Sequence, residues 1–207
     1  MKKFFSVIPY QGRGQLLAFR YEAVDNPALQ MEEKISFPIL TAINGYAQEG
    51  EEIRVITVRT DLQSVRANSQ VFEKAVTDLC RKKGLKLPRG IEFVTVPNDD
   101  RISVLTDTFQ ELISKAEDGD DLYACLTYGT KLQPIVLNMA VQYAYRLQKN
   151  TSIGCMLYGK VTRGEGSEAY AEVFDMTLLS RLDELTRLLA DKGVSDPRTI
   201  IHQILSV

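Results

Sequence analysis

A chain of 207 residues, 44% of them hydrophobic, can build one substantial core, with room for a small appendage at most. Its formal net charge of −2 argues against a general nucleic-acid binder, which needs a basic face, so no DNA partner is expected. No apolar run approaches the roughly 20 residues of a membrane helix. The start at Phe4-Phe5-Ser6-Val7-Ile8 is too short for a signal peptide and soon turns polar, so a cytoplasmic protein without membrane contact is expected.

In chain order, Lys3 to Pro9 reads as a buried strand and Leu16 to Val24 as a second extended stretch, with a turn at Gln11-Gly12-Arg13-Gly14 between them. Phe37 to Gln48 has helical spacing, and Pro38 is tolerated in its first turn. Ile53 to Val58 is a strand. Ser64 to Lys83 is a long amphipathic helix closed by Gly84. Ile91 to Val96 is a strand ended by Pro97, Ile102 to Ala116 a helix, and Asp118-Gly119-Asp120 a turn. A strand at Leu122 to Leu126 leads into a helix from about Gln133 to Gln148, in which Ile135, Met139, Gln142, Tyr143 and Leu147 fall near one stripe. Ile153 to Val161 and Tyr170 to Phe174 are strands, with a hairpin suggested by Gly164-Glu165-Gly166. Leu178 to Ala190 is a helix, and Asp196-Pro197 starts a final short one.

Strands alternating with helices predict an α/β, Rossmann-like fold: a mostly parallel sheet with helices on both faces. The last two strands are candidates for an antiparallel edge. The domain boundary is set at residue 175, with 176–207 as a C-terminal helical appendage or part of a subunit interface.

Cys80, Cys125 and Cys155 are widely spaced and form neither a metal-ligand pair nor a redox motif. His202 is the only histidine, which argues against histidine-based triads, zinc hydrolase sites and two-histidine ribonuclease chemistry. No metal site and no cofactor are expected. The acidic run Glu117, Asp118, Asp120 and Asp121 reads as a solvated turn. Tyr123, Tyr143 and Tyr145 read as core or interface residues.

Ligands of doubly wound sheets bind beyond the carboxyl ends of strands, where the winding reverses. If the first strand and the Leu122–Leu126 strand are neighbours, two loops converge there. One is Pro9-Tyr10-Gln11-Gly12-Arg13-Gly14. The other is Thr127-Tyr128-Gly129-Thr130-Lys131, followed by Gln133 in the next helix. Two cations, glycine backbones, hydroxyls and tyrosine faces suit a nucleotide, with N–H groups at a helix start for its phosphates. Neither loop is a dinucleotide fingerprint or a Walker loop. Gly12-Arg13-Gly14 also fits a plain turn with a solvated arginine, and Gly129-Thr130-Lys131 a tight strand–helix turn.

The stretch Leu126-Thr127-Tyr128-Gly129-Thr130-Lys131-Leu132-Gln133-Pro134 resembles the second signature motif of CARF domains, the CRISPR-associated Rossmann-fold sensors. The Pro9–Gly14 loop occupies the place of that family's first motif. The resemblance spans about residues 1 to 175. It implies a two-fold homodimer that binds a cyclic oligoadenylate, the messenger of type III CRISPR immunity, in a cleft across its axis. Cyclic tetra-adenylate is the first ligand to consider. The contacts would come from Pro9, Tyr10, Gln11, Gly12, Arg13, Thr127, Tyr128, Gly129, Thr130, Lys131 and Gln133. The chain departs from the family pattern after the sheet. Asp175 to Val207 is too short for a nuclease domain, and the Arg-x-x-x-x-His signature of the associated ribonucleases is missing.

Two functions follow from the resemblance. One is a sensor that binds the messenger. The other is a ring nuclease that cleaves it without metal, by attack of the substrate's own 2′-hydroxyl, with Lys131 and Arg13 stabilising the developing charge. A Rossmann-like enzyme acting on a mononucleotide ranks behind both.

Overall fold

The first strand explains the two-sided sheet. β1 (Lys2–Val7) is buried along almost its whole length. Phe4 packs into one apolar cluster, Phe5 and Val7 into a second on the opposite face. A strand buried on both faces belongs in the middle of a parallel sheet. β3 (Ile53–Thr60) and β5 (Asp121–Cys125) flank β1, both parallel to it. β4 (Ile91–Val96) adds beyond β3, and β6 (Ser152–Thr162) beyond β5, again parallel. β7 (Tyr170–Asp175) runs antiparallel to β6, and β2 (Tyr21–Ala23) lies outermost, parallel to β7. The order is β2-β7-β6-β5-β1-β3-β4, so the α/β, Rossmann-like expectation holds. These positions come from a computed structural model, which describes residues 1–10, 16–163 and 169–205.

α1 (Ile39–Tyr46) and α2 (Gln63–Lys83) pack on the Phe4 face. α3 (Ile102–Ile113) and α4 (Leu132–Leu147) pack on the Phe5 face. α2 ends where Gly84 takes φ 66°, with Arg81, Lys82 and Lys83 in its last turn facing the negative end of the helix dipole. α5 (Thr177–Asp191) is tied to the sheet: Met156 N–H donates to Thr177 Oγ1 at 2.9 Å, and Tyr145 of α4 donates to Glu184. α6 (Pro197–Leu205) follows, its start held by Asp196 Oδ1 accepting from Thr199 N–H at 3.1 Å. Among the described residues no helix is long and apolar enough to cross a membrane.

Three expectations change. The stretch from Leu16 does not form a hairpin with β1. Only Tyr21–Ala23 is strand, and it pairs with β7 at the far edge, because both edges of β1 are already taken by β3 and β5. Asp120 is not solvated. It is 2% exposed and meets the ammonium of Lys3, itself 0% exposed, at 2.6 Å. A lysine reads as buried strand because this carboxylate, Glu117 and the Lys115 carbonyl receive its three protons.

The third change concerns α4. Its inner face is Val136, Leu137, Ala140, Val141 and Ala144. Of the stripe read from the sequence only Gln142 is buried; Ile135, Met139, Tyr143 and Leu147 are 53, 54, 37 and 67% exposed. The helix carries two apolar stripes, and the sheet covers one.

β6 shows a further local cause. Its register with β5 shifts so that Leu122 faces Ile153 while Tyr123 faces Cys155. Gly154 is the extra residue of this bulge. A Cβ there would lie 2.5 Å from the Tyr123 ring, which stacks on Phe4 at 4.7 Å. The bulge sends Ile153 and Cys155 to opposite clusters despite their spacing of two.

Candidate functional site

The winding reverses between β1 and β5, which pair directly. Their carboxyl ends therefore carry the first loop, with Pro9 and Tyr10, beside the turn at 127–131. Gln11, Gly12 and Arg13 lie outside the described residues. The hairpin residues 164–166 do too.

The turn after β5 is built from the inside. Thr127 Oγ1 accepts from the Gly159 N–H of β6 at 2.8 Å and lies 3.1 Å from Cys125 Sγ. Its hydroxyl clamps two strands. Burial pushes the Cys125 thiol up to about 11, so it is an inert core group. Tyr128 donates its hydroxyl to the Ser36 carbonyl at 2.7 Å, and its ring packs against both apolar clusters. Burial, with Tyr21 beside it, raises the Tyr128 phenol far above the usual tyrosine range. Gly129 takes φ 104°, and a Cβ there would lie 2.5 Å from Gln133 Oε1 and 2.8 Å from Val7 Cγ1. Only glycine lets this backbone lie so close to β1 and α4.

Gln133 is 6% exposed. Its Oε1 accepts from the Thr130 N–H at 3.3 Å; its Nε2 donates to Thr60 Oγ1 at 3.0 Å and to Tyr10 Oη at 3.3 Å. Tyr10 Oη and Thr60 Oγ1 are 2.6 Å apart. Asn68 of α2 donates to the Pro9 carbonyl at 2.8 Å. The Tyr10 ring packs on the Phe4-side cluster. The Tyr128 ring is thus held between the two clusters, and Tyr10, packed on one of them, offers its hydroxyl.

Two groups face outward. Lys131, in helical geometry at the N-cap of α4, is exposed and has no acceptor among the described residues. Thr130 is beside it, and its Oγ1 donates to Asp100 Oδ1 at 3.2 Å. No side chain caps the first turn of α4, so the amides of Leu132 and Gln133 remain available to an anion, Pro134 having none. Beside the turn is a cavity of about 450 Å³, walled by Phe19, Val161, Thr127 and Tyr128, with Arg163 at its margin. A separate apolar cavity of about 500 Å³ lies between α5 and α6. Its walls include Leu189, Val194 and Ile201, with Arg198 as the charged residue among them.

The sequence matches no protein-family model and no curated protein. The assignment of a ligand therefore rests on this geometry and on the residues of the two loops. Thr60, Asn68, Asp100 and Arg163 escaped the sequence reading. Thr60 carried a usable signal, because it ends the strand flanking β1 on the other side. Asp100 carried none, since only the sheet order brings the β4–α3 loop over the 127–131 turn. Among the described residues no group of three or more His, Cys, Asp or Glu is placed to hold a metal ion.

Proposed function

We propose that the chain is a cytoplasmic sensor of type III CRISPR signalling that binds a cyclic oligoadenylate, cyclic tetra-adenylate first among them, across a homodimer cleft. The observation that carries this reading is the direct pairing of β1 with β5. It brings the start of the first loop beside an uncapped helix start that carries a lysine with no partner among the described residues. Phosphate favours such a place: fixed N–H groups, the positive end of a helix dipole and a mobile cation. Lys131 and the first-turn amides of Leu132 and Gln133 bind phosphate, and Tyr10 presents a hydroxyl, while the Thr130 hydroxyl is held by Asp100.

The dimer draws support from α4. Ile135, Met139, Tyr143 and Leu147 form an exposed ridge at four-residue spacing, leading away from Lys131. Such ridges pack against one another, and a two-fold axis makes the patch its own partner.

A ring-nuclease reading draws on one observation, the Asp100 carboxylate on Thr130 beside Lys131. A carboxylate there can take the proton of an attacking 2′-hydroxyl while the lysine stabilises the phosphorane charge. Labelled cyclic tri-, tetra- and hexa-adenylate, incubated with the protein in EDTA and separated into bound, free and linear species, test both readings. Binding without linear product supports the sensor. Linear product ending in a 2′,3′-cyclic phosphate supports the ring nuclease. Neither binding nor cleavage overturns the messenger.

A further inference from the structure

We propose that Gln133, Thr60 and Tyr10 form a proton-ordered hydrogen-bond chain that locks the two loops together and leaves Tyr10 as an outward-pointing donor to the ligand. The reasoning starts from Gln133. Its Oε1 accepts from the Thr130 amide, which can only donate. The other end of the side chain is therefore the NH2. Its two protons go to Thr60 Oγ1 and Tyr10 Oη. Thr60 is 1% exposed, and its own proton has a single acceptor among the described residues, Tyr10 Oη at 2.6 Å. Stranding a hydroxyl proton in a buried site is unfavourable, so Thr60 donates to Tyr10. The Tyr10 oxygen then receives two protons. Its own has no further acceptor among the described residues and is left to point away from the network, on a side chain that is only half-buried.

The chain has two consequences. It joins the end of β1, the end of β3 and the start of α4, so a ligand touching Tyr10 is read at the Thr130–Lys131 turn. It also fixes Tyr10 as a donor before any ligand arrives, and a preset donor loses less entropy on binding a phosphate oxygen. Gln133 and Thr60 are positioning residues: they act through Tyr10 and the turn.

The donor half of this proposal rests on the cyclic oligoadenylate reading; the network half does not, and the experiment separates them. In the free protein, hydrogen exchange at the Thr130 amide is followed by NMR in the wild type and in Gln133→Met, which keeps bulk but removes both hydrogen-bonding ends. Exchange at least tenfold faster, with the global fold retained, is expected. Unchanged exchange overturns the network whatever the protein binds. Calorimetry with cyclic tetra-adenylate then compares Tyr10→Phe, Thr60→Val and the double variant. Tyr10→Phe should bind about tenfold more weakly, Thr60→Val should lose several-fold without touching ligand, and the double variant should be no weaker than Tyr10→Phe. Independent, multiplying losses would mean that Thr60 acts through stability alone and overturn the ordering. A wild type that binds none of the cyclic oligoadenylates overturns the ligand and the donor role with it, and the exchange result then decides the network.

Discussion

Replacing Gly129 by alanine tests the close packing on which the site depends. Its φ of 104° lies where side chains are strained, at a cost of about 1–3 kcal/mol. The added methyl would meet Gln133 Oε1 at 2.5 Å and Val7 Cγ1 at 2.8 Å. Val7 is 3% exposed on the central strand and has no room to retreat, so overpacking adds about 1–3 kcal/mol. In a chain of this size each kcal/mol moves Tm by roughly 2–4 °C, so the two costs together put the expected drop at roughly 4–24 °C. Gly90→Ala is the control. It also has a positive φ, 59°, but its Cβ would meet nothing within 4 Å. It should carry only the backbone cost of about 1–2 kcal/mol. Scanning calorimetry on both variants gives the contrast. A Gly129→Ala protein as stable as Gly90→Ala would refute the close approach of this turn to β1 and α4.

Lys131→Ala should leave the melting temperature unchanged and weaken cyclic oligoadenylate binding about tenfold or more, since a charge-assisted contact is worth about 1.5–3 kcal/mol; unchanged affinity in calorimetry removes this lysine from the site. Asp100→Asn, which removes a carboxylate from beside the phosphate position while keeping an acceptor for Thr130, should tighten binding several-fold, and a loss of affinity would instead mark Asp100 as a ligand contact. Met139→Glu, on the exposed ridge of α4, should convert the dimer to a folded monomer by light scattering; a wild type that is monomeric at micromolar concentration with and without ligand would end the dimer reading. Stability should fall in acid: Arg54 holds the Glu92 carboxyl below the usual carboxylate range through two hydrogen bonds of 2.6 and 2.8 Å. Because the folded value is depressed, this contribution is complete above about pH 4.3, the unfolded value, and is lost as pH falls through the folded one. Glu92→Gln should therefore lose less Tm than wild type between pH 6 and 3, and parallel curves would show that the pair does not govern the acid limb.

Most strands and helices were legible because each buries an apolar set of the right period. Val55 and Ile56 of β3 are adjacent rather than alternating, and with Thr57 and Val58 they are buried without a break, which marks a strand covered on both faces. Gly84 and Pro97 stop their elements by backbone chemistry that acts locally. The failures came where a pattern needed a partner that the sequence does not name. The stretch after the first loop carries strand-like residues, but pairing is decided by which edges are free. The edges of β1 were taken. Asp120 looks solvated alone, and its contact with Lys3 of the buried first strand allows both charges to be buried.

The site divides along the same line. Loop chemistry was readable one side chain at a time: a lysine at a helix start, and a glycine that the turn requires. Direction was not. Thr127 and Tyr128 have the hydroxyls that a phosphate site wants, yet both are turned inward, to β6 and to the Ser36 carbonyl. Gln133 looks like a third ligand group and is instead a strut between loops. Hydroxyls are small enough to face either way, and the nearest unpaired backbone group decides. The outward set is therefore leaner than the motif suggests: Lys131, Thr130 and the Tyr10 hydroxyl, with Asp100 opposing them. With the Thr130 proton given to Asp100, two outward donors remain, Lys131 and the Tyr10 hydroxyl, and the carboxylate beside them opposes an anion. A phosphodiester, with a single negative charge, would meet less repulsion from that carboxylate than inorganic phosphate, which is partly doubly charged at neutral pH.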